Sequence, residues 1–461
     1  MIKFGTSGWR AIIAEEFTYA NVRRVSRAVA ESLIESNGKD SVVAVGYDTR
    51  YMSERFASAA ANVMASAGLR CLVSETPLPT PAVSHAVRHN GLAGAINITA
   101  SHNPAEYNGL KFSIDTGAPC PVERTRELEK RIAALPEIAA EEPPAGRIET
   151  RDFSGPYFEQ IAGLVRMDVI RKSGIRLALD PRWGAARGYY DAILRRHGIE
   201  HTVIHDHRDV TYGGVGPDIS PRALGELSET VTSGGFTLGL ATDGDADRFG
   251  IVDADGSCVN ANLILALLAD HLAGSRGFRQ GLGRTYATTG LIDAVARHYE
   301  VPVHQTPVGF KYLGEYINEG RIFMAGEESA GMSMIGHLPE KDGILAGLLT
   351  AEMVAARGAG IGKLREDLFA KVGALYSQRE DFRVTPEQTR RLRSLMDSPP
   401  GRIGSRKVSA VTVIDGLRLD FEDGAWLLMR PSGTEPVVRY YVEAPSEQDL
   451  SELVKEGKKI L

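Results

Sequence analysis

Three times along this chain an apolar, strand-like run leads into a helix-like face and returns to a strand, and that rhythm constrains the fold more than any single motif. In "SVVAVGYDTR", residues Ser41 to Gly46 read as a buried strand running into a polar loop. Phe56, Ala60, Val63, Met64 and Ala67 then share one face of a helix, Gly68 is placed to end it, and "LRCLVSE" supplies the next strand. The pattern returns in "GIRLALDPRWGAARGYYDAILRRHGIEHTVI", with a helix expected over Ala185 to His197 and a stop at Gly198, and again in "GRTYATTGLIDAVARHYEVPVHQTPVG". Strand–helix–strand units favour parallel pairing. Their spacing lies outside the short-repeat range, so the chain reads as repeated α/β domains and not as a solenoid.

The stretch "LPEIAAEEPPAGRIETRD", residues 135–152, reads as a linker, with paired prolines and a charge cluster. From about Tyr376 the character changes. "VSAVTVIDGLRLDFEDGAWLLMRPSGTEPVVRYYVEA" has strands joined by Asp-Gly turns, which suits antiparallel hairpins and a smaller α+β domain.

The whole chain bounds the partners. Its 461 residues suggest about three domains and a sizeable core, and a net charge of −6 gives no general reason to bind nucleic acid or anionic membranes. Cys71, Cys120 and Cys258 are far apart and form no CxxC, which fits buried thiols in a reducing compartment. "MIKFGTSGWRAII" has no leader-like apolar run and no later stretch is long enough to span a membrane, so a cytoplasmic protein is expected.

Four polar stretches carry chemistry. In "GLAGAINITASHNPAEYNGLKFSI" a strand climbs to Ile98 and the chain turns at Ser101, beside His102. Ser101 reads either as an N-cap at a helix entrance or as a nucleophile, and local chemistry favours the cap. No GxSxG elbow is present, which removes support for an α/β-hydrolase. In "LGLATDGDADRFGIVDADG" a strand over Phe236 to Ala241 delivers Asp243, Asp245 and Asp247 at alternate positions. Carboxylates this close repel one another unless a cation is present, and hard oxygen ligands suit Mg²⁺ or Ca²⁺. An EF-hand fails, because Arg248 stands where its glycine belongs and Ala254 where its glutamate belongs. "DADG" at 253–256 reads as a solvated acidic turn.

In "RIFMAGEESAGMSMIGH" a strand ends at Gly326, and Glu327, Glu328 and Ser329 follow; these suit sugar hydroxyls, or equally a solvated strand-to-helix turn. In "LMRPSGTEPVVRYYVE", Arg430, Ser432, Gly433 and Thr434, with Arg439 on the next strand, are the components of a phosphate cradle. The alternative is a turn with a surface arginine. Together the four stretches specify a phosphate-handling enzyme with a hydroxyl nucleophile and metal at one site and phosphate alone at another.

"TASHNP", "DGDADR", "GEESAG" and "RPSGTEP", in this order, resemble the four signature loops of the α-D-phosphohexomutase superfamily, phosphoglucomutase/phosphomannomutase type; "FGTSGWR" and "TPVGFK" match as well. The resemblance spans nearly the whole chain. It implies three related α/β domains and a C-terminal α+β phosphate-binding domain around a central cleft, expected at residues 1–148, 149–254, 255–373 and 374–461. It implies a phosphoserine at Ser101, with Mg²⁺ held by Asp243, Asp245, Asp247 and a phosphoserine oxygen. Arg10 and His102 would support the transferring phosphoryl group, Lys111 would be the general acid/base, and Arg248 would close the metal loop. Glu327 and Ser329 would contact sugar hydroxyls with Gly309 and Lys311 nearby. Lys341, Arg430, Ser432, Gly433, Thr434 and Arg439 would bind the distal phosphate.

The implied reaction interconverts hexose 1-phosphate and hexose 6-phosphate, primed by glucose 1,6-bisphosphate, in a monomer or homodimer whose partners are small sugar phosphates. "GEES" and Gly331, where dual-specificity members often carry histidine, lean towards glucose. Phosphopentomutase and phosphoglucosamine mutase are the alternatives within the family. Outside it stand a Mg²⁺-dependent phosphohydrolase using the aspartates and a non-catalytic sugar-phosphate sensor.

Overall fold

The computed structural model describes residues 2–5, 7–140, 142–431 and 437–461. The chain divides into two compact units, Met1–Ala261 with Gly309–Ile361, and Asn262–Val308 with Gly362–Leu461.

The first unit holds a six-stranded sheet in the order Trp9–Ile12, Tyr107–Ile114, Gly94–Ile98, Val42–Tyr47, Arg70–Ser74, Ile148–Arg151. The strands Val42–Tyr47, Gly94–Ile98, Arg70–Ser74 and Ile148–Arg151 run parallel, as the strand–helix rhythm requires, while Tyr107–Ile114 returns antiparallel to Gly94–Ile98. The helix Ser53–Ser66 buries Phe56, Ala60, Val63 and Met64, the face read from the sequence. Of the expected linker, residues 135–140 and 142–147 are irregular, and Ile148–Arg151 pairs with Arg70–Ser74.

A second sheet of this unit runs Phe249–Asp253, Leu238–Thr242, Leu177–Asp180, His201–Val203. Asp253, expected in a solvated turn, is buried at the end of its strand and accepts the Ile361 amide at 3.2 Å. The helix expected over Ala185 to His197 is confined to Tyr190–Arg196. Its first part is a turn, with Arg182 and Trp183 at positive φ (50° and 54°) and Gly188 at 72°. That turn carries the Ala185 amide to the carbonyl of Gly244, at 2.9 Å.

The hairpin Ile322–Glu327 and Gly331–Met334 and the buried helix Gly343–Arg357 complete the unit. Asp342 caps that helix, and the Gly343 amide bonds the Ala246 carbonyl at 2.9 Å. A Cβ on Gly343 would lie 2.2 Å from the Arg248 carbonyl oxygen, so only glycine lets the helix start this close to the aspartate loop.

In the second unit the strands Gly281–Thr285 and Val303–Thr306 pair in parallel around the helix Leu291–His298. A six-stranded antiparallel sheet follows, in the order Tyr376–Arg383, Val437–Ala444, Trp426–Pro431, Leu417–Phe421, Arg406–Val413, Arg402–Ile403. The Asp-Gly turns fall between its strands as the sequence predicts. Glu443 is buried in this unit, where its carboxylate accepts from the Gly290 amide and the Trp426 indole, each at 2.8 Å, and from Thr289.

All three cysteines are free; burial pushes the Cys71 and Cys120 thiols up to about 12. Among the described residues no single helix is long and apolar enough to cross a membrane.

Candidate functional site

Ser101 is not at a helix entrance. The strand Gly94–Ile98 ends, the chain turns with Ser101 at φ 53°, and Tyr107–Ile114 runs back along it with Ile98 opposite Leu110. The N-cap reading therefore fails, because no helix follows for the hydroxyl to cap. The buried Ser101 Oγ instead donates to Asp243 Oδ2 at 2.8 Å, with His102 Nδ1 3.4 Å away. Burial, then the charges of Arg248 and Arg10, holds His102 well below the usual imidazole range. Arg10 donates to Asn103 Oδ1 at 2.6 Å, on the same turn.

Asp243, Asp245 and Asp247 occupy the turn between the antiparallel strands Leu238–Thr242 and Phe249–Asp253. Their nearest oxygens lie within 4.8 Å of one another, and all three residues are buried. Burial, then the charges of Asp247 and Asp245, pushes Asp243 up to about 8. Asp247 goes the other way: burial opposes its charge, but Lys111, Lys341 and Arg248 outweigh burial and hold it well below the carboxylate range. Lys111 Nζ donates to Asp245 at 2.6 Å and to Asp247 at 2.7 Å, and Lys341 Nζ lies 3.3 Å from Asp247. Asp245 Oδ1 and Asp247 Oδ1 are buried with no hydrogen-bond partner. Two orphaned carboxylate oxygens in so tight a cluster fit a hard divalent cation such as Mg²⁺.

Glycine is needed where the two loops meet. A Cβ on Gly244 would sit 2.6 Å from the Ser101 carbonyl oxygen, and one on Gly184 would sit 2.7 Å from the Gly244 carbonyl oxygen. Ser101, Gly244 and Gly184 thus stack backbone on backbone.

The third stretch forms a hairpin and not a strand-to-helix turn. Glu327 ends the strand Ile322–Glu327 and accepts the Gly309 amide at 3.0 Å. Burial pushes its carboxyl up to about 7 against the opposing charge of Lys341. The Phe249 amide bonds the Ala330 carbonyl at 3.1 Å and Arg248 bridges Gly331, which stitches this hairpin to the aspartate loop. Ser329 is half-buried on the hairpin turn. Lys311 lines a small cavity with Ser7, Lys111 and Glu340.

Ser101, His102, Lys111, Arg10, the three aspartates, Arg248, Gly309, Lys311, Glu327, Ser329 and Lys341 thus all belong to the first unit. Arg430 and Arg439 belong to the second, directly opposite each other on neighbouring strands, with Arg439 Nε 3.9 Å from Asp381. Like charges placed so are unfavourable without an anion. Ser432, Gly433 and Thr434 lie outside the described residues.

Three residues escape the sequence reading. Thr80 donates to Asp245 Oδ2 at 2.5 Å while its amide bonds the Asp245 carbonyl, and Asn97 donates to Thr80 Oγ1 at 2.9 Å. Arg50 grips the Ser101 turn. The strand end "YDTR" is a signal for Arg50 and its ion partner Asp48, but nothing near it in sequence shows the carbonyls it binds.

Family models of the phosphoglucomutase/phosphomannomutase type match in four segments. These are the alpha/beta/alpha domain I over residues 1–138, domain II over 155–256, domain III over 260–372 and the C-terminal domain over 383–459. A phosphoglucomutase of Komagataeibacter xylinus is 30% identical, the match covering 96% of this chain and 87% of that protein. A probable phosphoglucosamine mutase of Methanothermobacter thermautotrophicus is 31% identical, covering 96% of this chain and 94% of that protein. A solved structure from Thermus thermophilus, provisionally described as a phosphomannomutase, superposes with a TM-score of 0.88 at 33% identity, covering 100% of this chain and 98% of that one.

Proposed function

We propose that this chain, which belongs to the α-D-phosphohexomutase superfamily of isomerases, interconverts hexose 1-phosphate and hexose 6-phosphate through a phosphoserine at Ser101, with glucose favoured. One observation carries the reading: the Ser101 hydroxyl is bonded to Asp243 at the head of a buried trio of aspartates that has orphaned oxygens. In the forward step the P–O bond to Ser101 breaks as a P–O bond to a sugar hydroxyl forms, and the proton of that hydroxyl ends on the serine oxygen. Transfer from the other end of the bisphosphate then restores the phosphoserine, so glucose 1,6-bisphosphate is the activator that primes the enzyme.

Catalysis of this kind rests on alignment and charge stabilisation. Asp243, Asp245 and Asp247 would hold Mg²⁺, which when bound supplies electrostatic stabilisation to the phosphoryl group. Lys111 is buried against two of these aspartates, where it orients their oxygens and is placed to move a proton. Arg10 and His102 flank the serine and present donors to phosphoryl oxygens. Glu327 and Ser329 read sugar hydroxyls, with Gly309 fixing the Glu327 carboxylate. The opposed pair Arg430 and Arg439, with Ser432, Gly433 and Thr434, receive the distal phosphate, whereas Lys341, expected there from the sequence, sits against Asp247 and helps to balance the charge of the aspartates. In this reading the functional domains are 1–148, 149–254, 255–373 and 374–461, and the protein works in the cytoplasm.

The preference for glucose is supported by the third loop. A Cβ at Gly331 would lie 2.2 Å from Lys341 Cδ, so the lysine stem fills the space a larger residue would need there. The phosphoglucosamine reading has the 31% identical relative behind it. Mg²⁺-dependent turnover of glucose 1-phosphate, mannose 1-phosphate and glucosamine 1-phosphate, measured in parallel with catalytic glucose 1,6-bisphosphate, separates these. Glucose is expected to exceed mannose in kcat/KM by roughly 10-fold or more, the size of a single-hydroxyl discrimination. Equal rates would overturn the glucose preference, and turnover of glucosamine phosphate alone would favour the alternative.

A further inference from the structure

We propose that Arg50 is a positioning residue for phosphoryl transfer, holding the turn that carries Ser101 so that its hydroxyl faces Asp243. The inference rests on the reading of Ser101 as the phosphoryl carrier. Arg50 is wholly buried, and its guanidinium spans the turn. One terminal nitrogen donates to the carbonyls of Pro104 at 2.7 Å and Tyr107 at 2.9 Å; the other donates to those of Ser101 at 2.7 Å and Asn103 at 2.6 Å. The remaining nitrogen lies 3.2 Å from Asp48 Oδ2, and Asp48 is fixed in turn by the Ser53 hydroxyl at 2.8 Å and the Arg50 amide at 2.9 Å.

Two features make this more than packing. Ser101 sits in the left-handed region, which a non-glycine residue keeps only when its surroundings over-determine it. A guanidinium with five donors in a fixed fork can satisfy four carbonyls at once, whereas an ammonium on a flexible stem cannot. The ring of Tyr212 lies 5.3 Å from the guanidinium carbon, with its hydroxyl 3.3 Å from Thr49 Oγ1. Arg208 bonds the carbonyls of Thr49 and Arg50 at 3.2 and 3.1 Å. The segment that carries Arg208 and Tyr212 therefore presses Arg50 into the turn.

The test uses the full chain with Mg²⁺, glucose 1-phosphate and glucose 1,6-bisphosphate. Arg50→Lys is expected to lower kcat by about 100-fold, as a displacement of a reacting group by about 1 Å does. KM should stay within about threefold, because the guanidinium of Arg50 bonds the Ser101 turn and Asp48 and the residues that read the sugar lie on another hairpin. The rate at which Ser101 gains one phosphoryl group from the bisphosphate, followed by intact mass, should fall in parallel. Tyr212→Leu, which keeps Arg50 but removes the ring that seats its guanidinium and so loosens its grip on the four carbonyls, should lower kcat by about tenfold, and it decides the matter if Arg50→Lys does not fold. A folded Arg50→Lys phosphorylated as fast as the wild type, or changed only in KM, overturns the inference alone, as does an unchanged Tyr212→Leu when it is the deciding variant. A wild type that gains no phosphoryl group at Ser101 overturns the functional reading itself and the inference with it.

Discussion

Replacing Ser101 with alanine should abolish mutase turnover, lowering kcat by roughly 10⁴-fold or more, while leaving the fold intact. The hydroxyl donates to Asp243 and lies a long 3.4 Å from His102 Nδ1, so its loss removes about 1 kcal/mol of hydrogen bonding and no large side chain. The alanine must also take the φ of 53°, a strain that serine already bears. Chemistry, by contrast, loses its phosphoryl carrier, and the nearby Thr80 hydroxyl cannot substitute, because it points at Asp245 and is tied there by Asn97. Residual phosphatase activity at the wild-type level in Ser101→Ala would point instead to an aspartate nucleophile and a phosphohydrolase. Turnover by coupled assay and thermal midpoint by circular dichroism read the two effects separately.

The second large effect concerns the cation. Asp245→Asn is expected to weaken Mg²⁺ affinity by about 100-fold or more and to reduce kcat at sub-saturating metal accordingly. Asp245 and Asp247 each keep one buried oxygen without a hydrogen-bond partner, that of Asp247 3.9 Å from Arg248 Nε, and both share the Lys111 ammonium through the other. An amide at 245 removes one charge from the trio and one anionic partner from Lys111. A readout independent of activity is available, because a ligand bound only by the native state raises its stability in proportion to RT ln(1 + [L]/Kd). Mg²⁺ should raise the thermal midpoint of the wild type and barely move that of Asp245→Asn. Chelation should stop turnover without unfolding the protein, since Lys111 and Lys341 already neutralise much of the cluster. A wild type whose midpoint and activity ignore Mg²⁺ would contradict the assignment.

Much of this is legible in the sequence, and the failures have physical causes. The strand–helix alternation and the Asp-Gly hairpins are local signals, and they place the parallel strands and the antiparallel sheet. The aspartate cluster is legible because three alternating carboxylates at the end of an apolar strand repel one another unless a cation joins them. Ser101 reads locally as a cap because the turn's fate depends on Tyr107–Ile114 pairing back onto Gly94–Ile98, a tertiary fact. The helix before Tyr190 is overextended for a similar reason: Arg182, Trp183 and Gly188 take left-handed conformations, and the turn between them docks against Gly244. Arg50 passes for a loop residue because its partners are main-chain carbonyls more than fifty positions away, and carbonyls leave no mark on a sequence.

The central claim is that a phosphoryl group travels through Ser101. The most direct measurement exposes the wild type to glucose 1,6-bisphosphate carrying labelled phosphate, maps the labelled peptide, and then chases with unlabelled glucose 6-phosphate. The label should appear on the peptide bearing Ser101 and return to sugar bisphosphate during the chase, with little free phosphate released. Label on the peptide bearing Asp243, or release of free phosphate with no labelled serine, would contradict it.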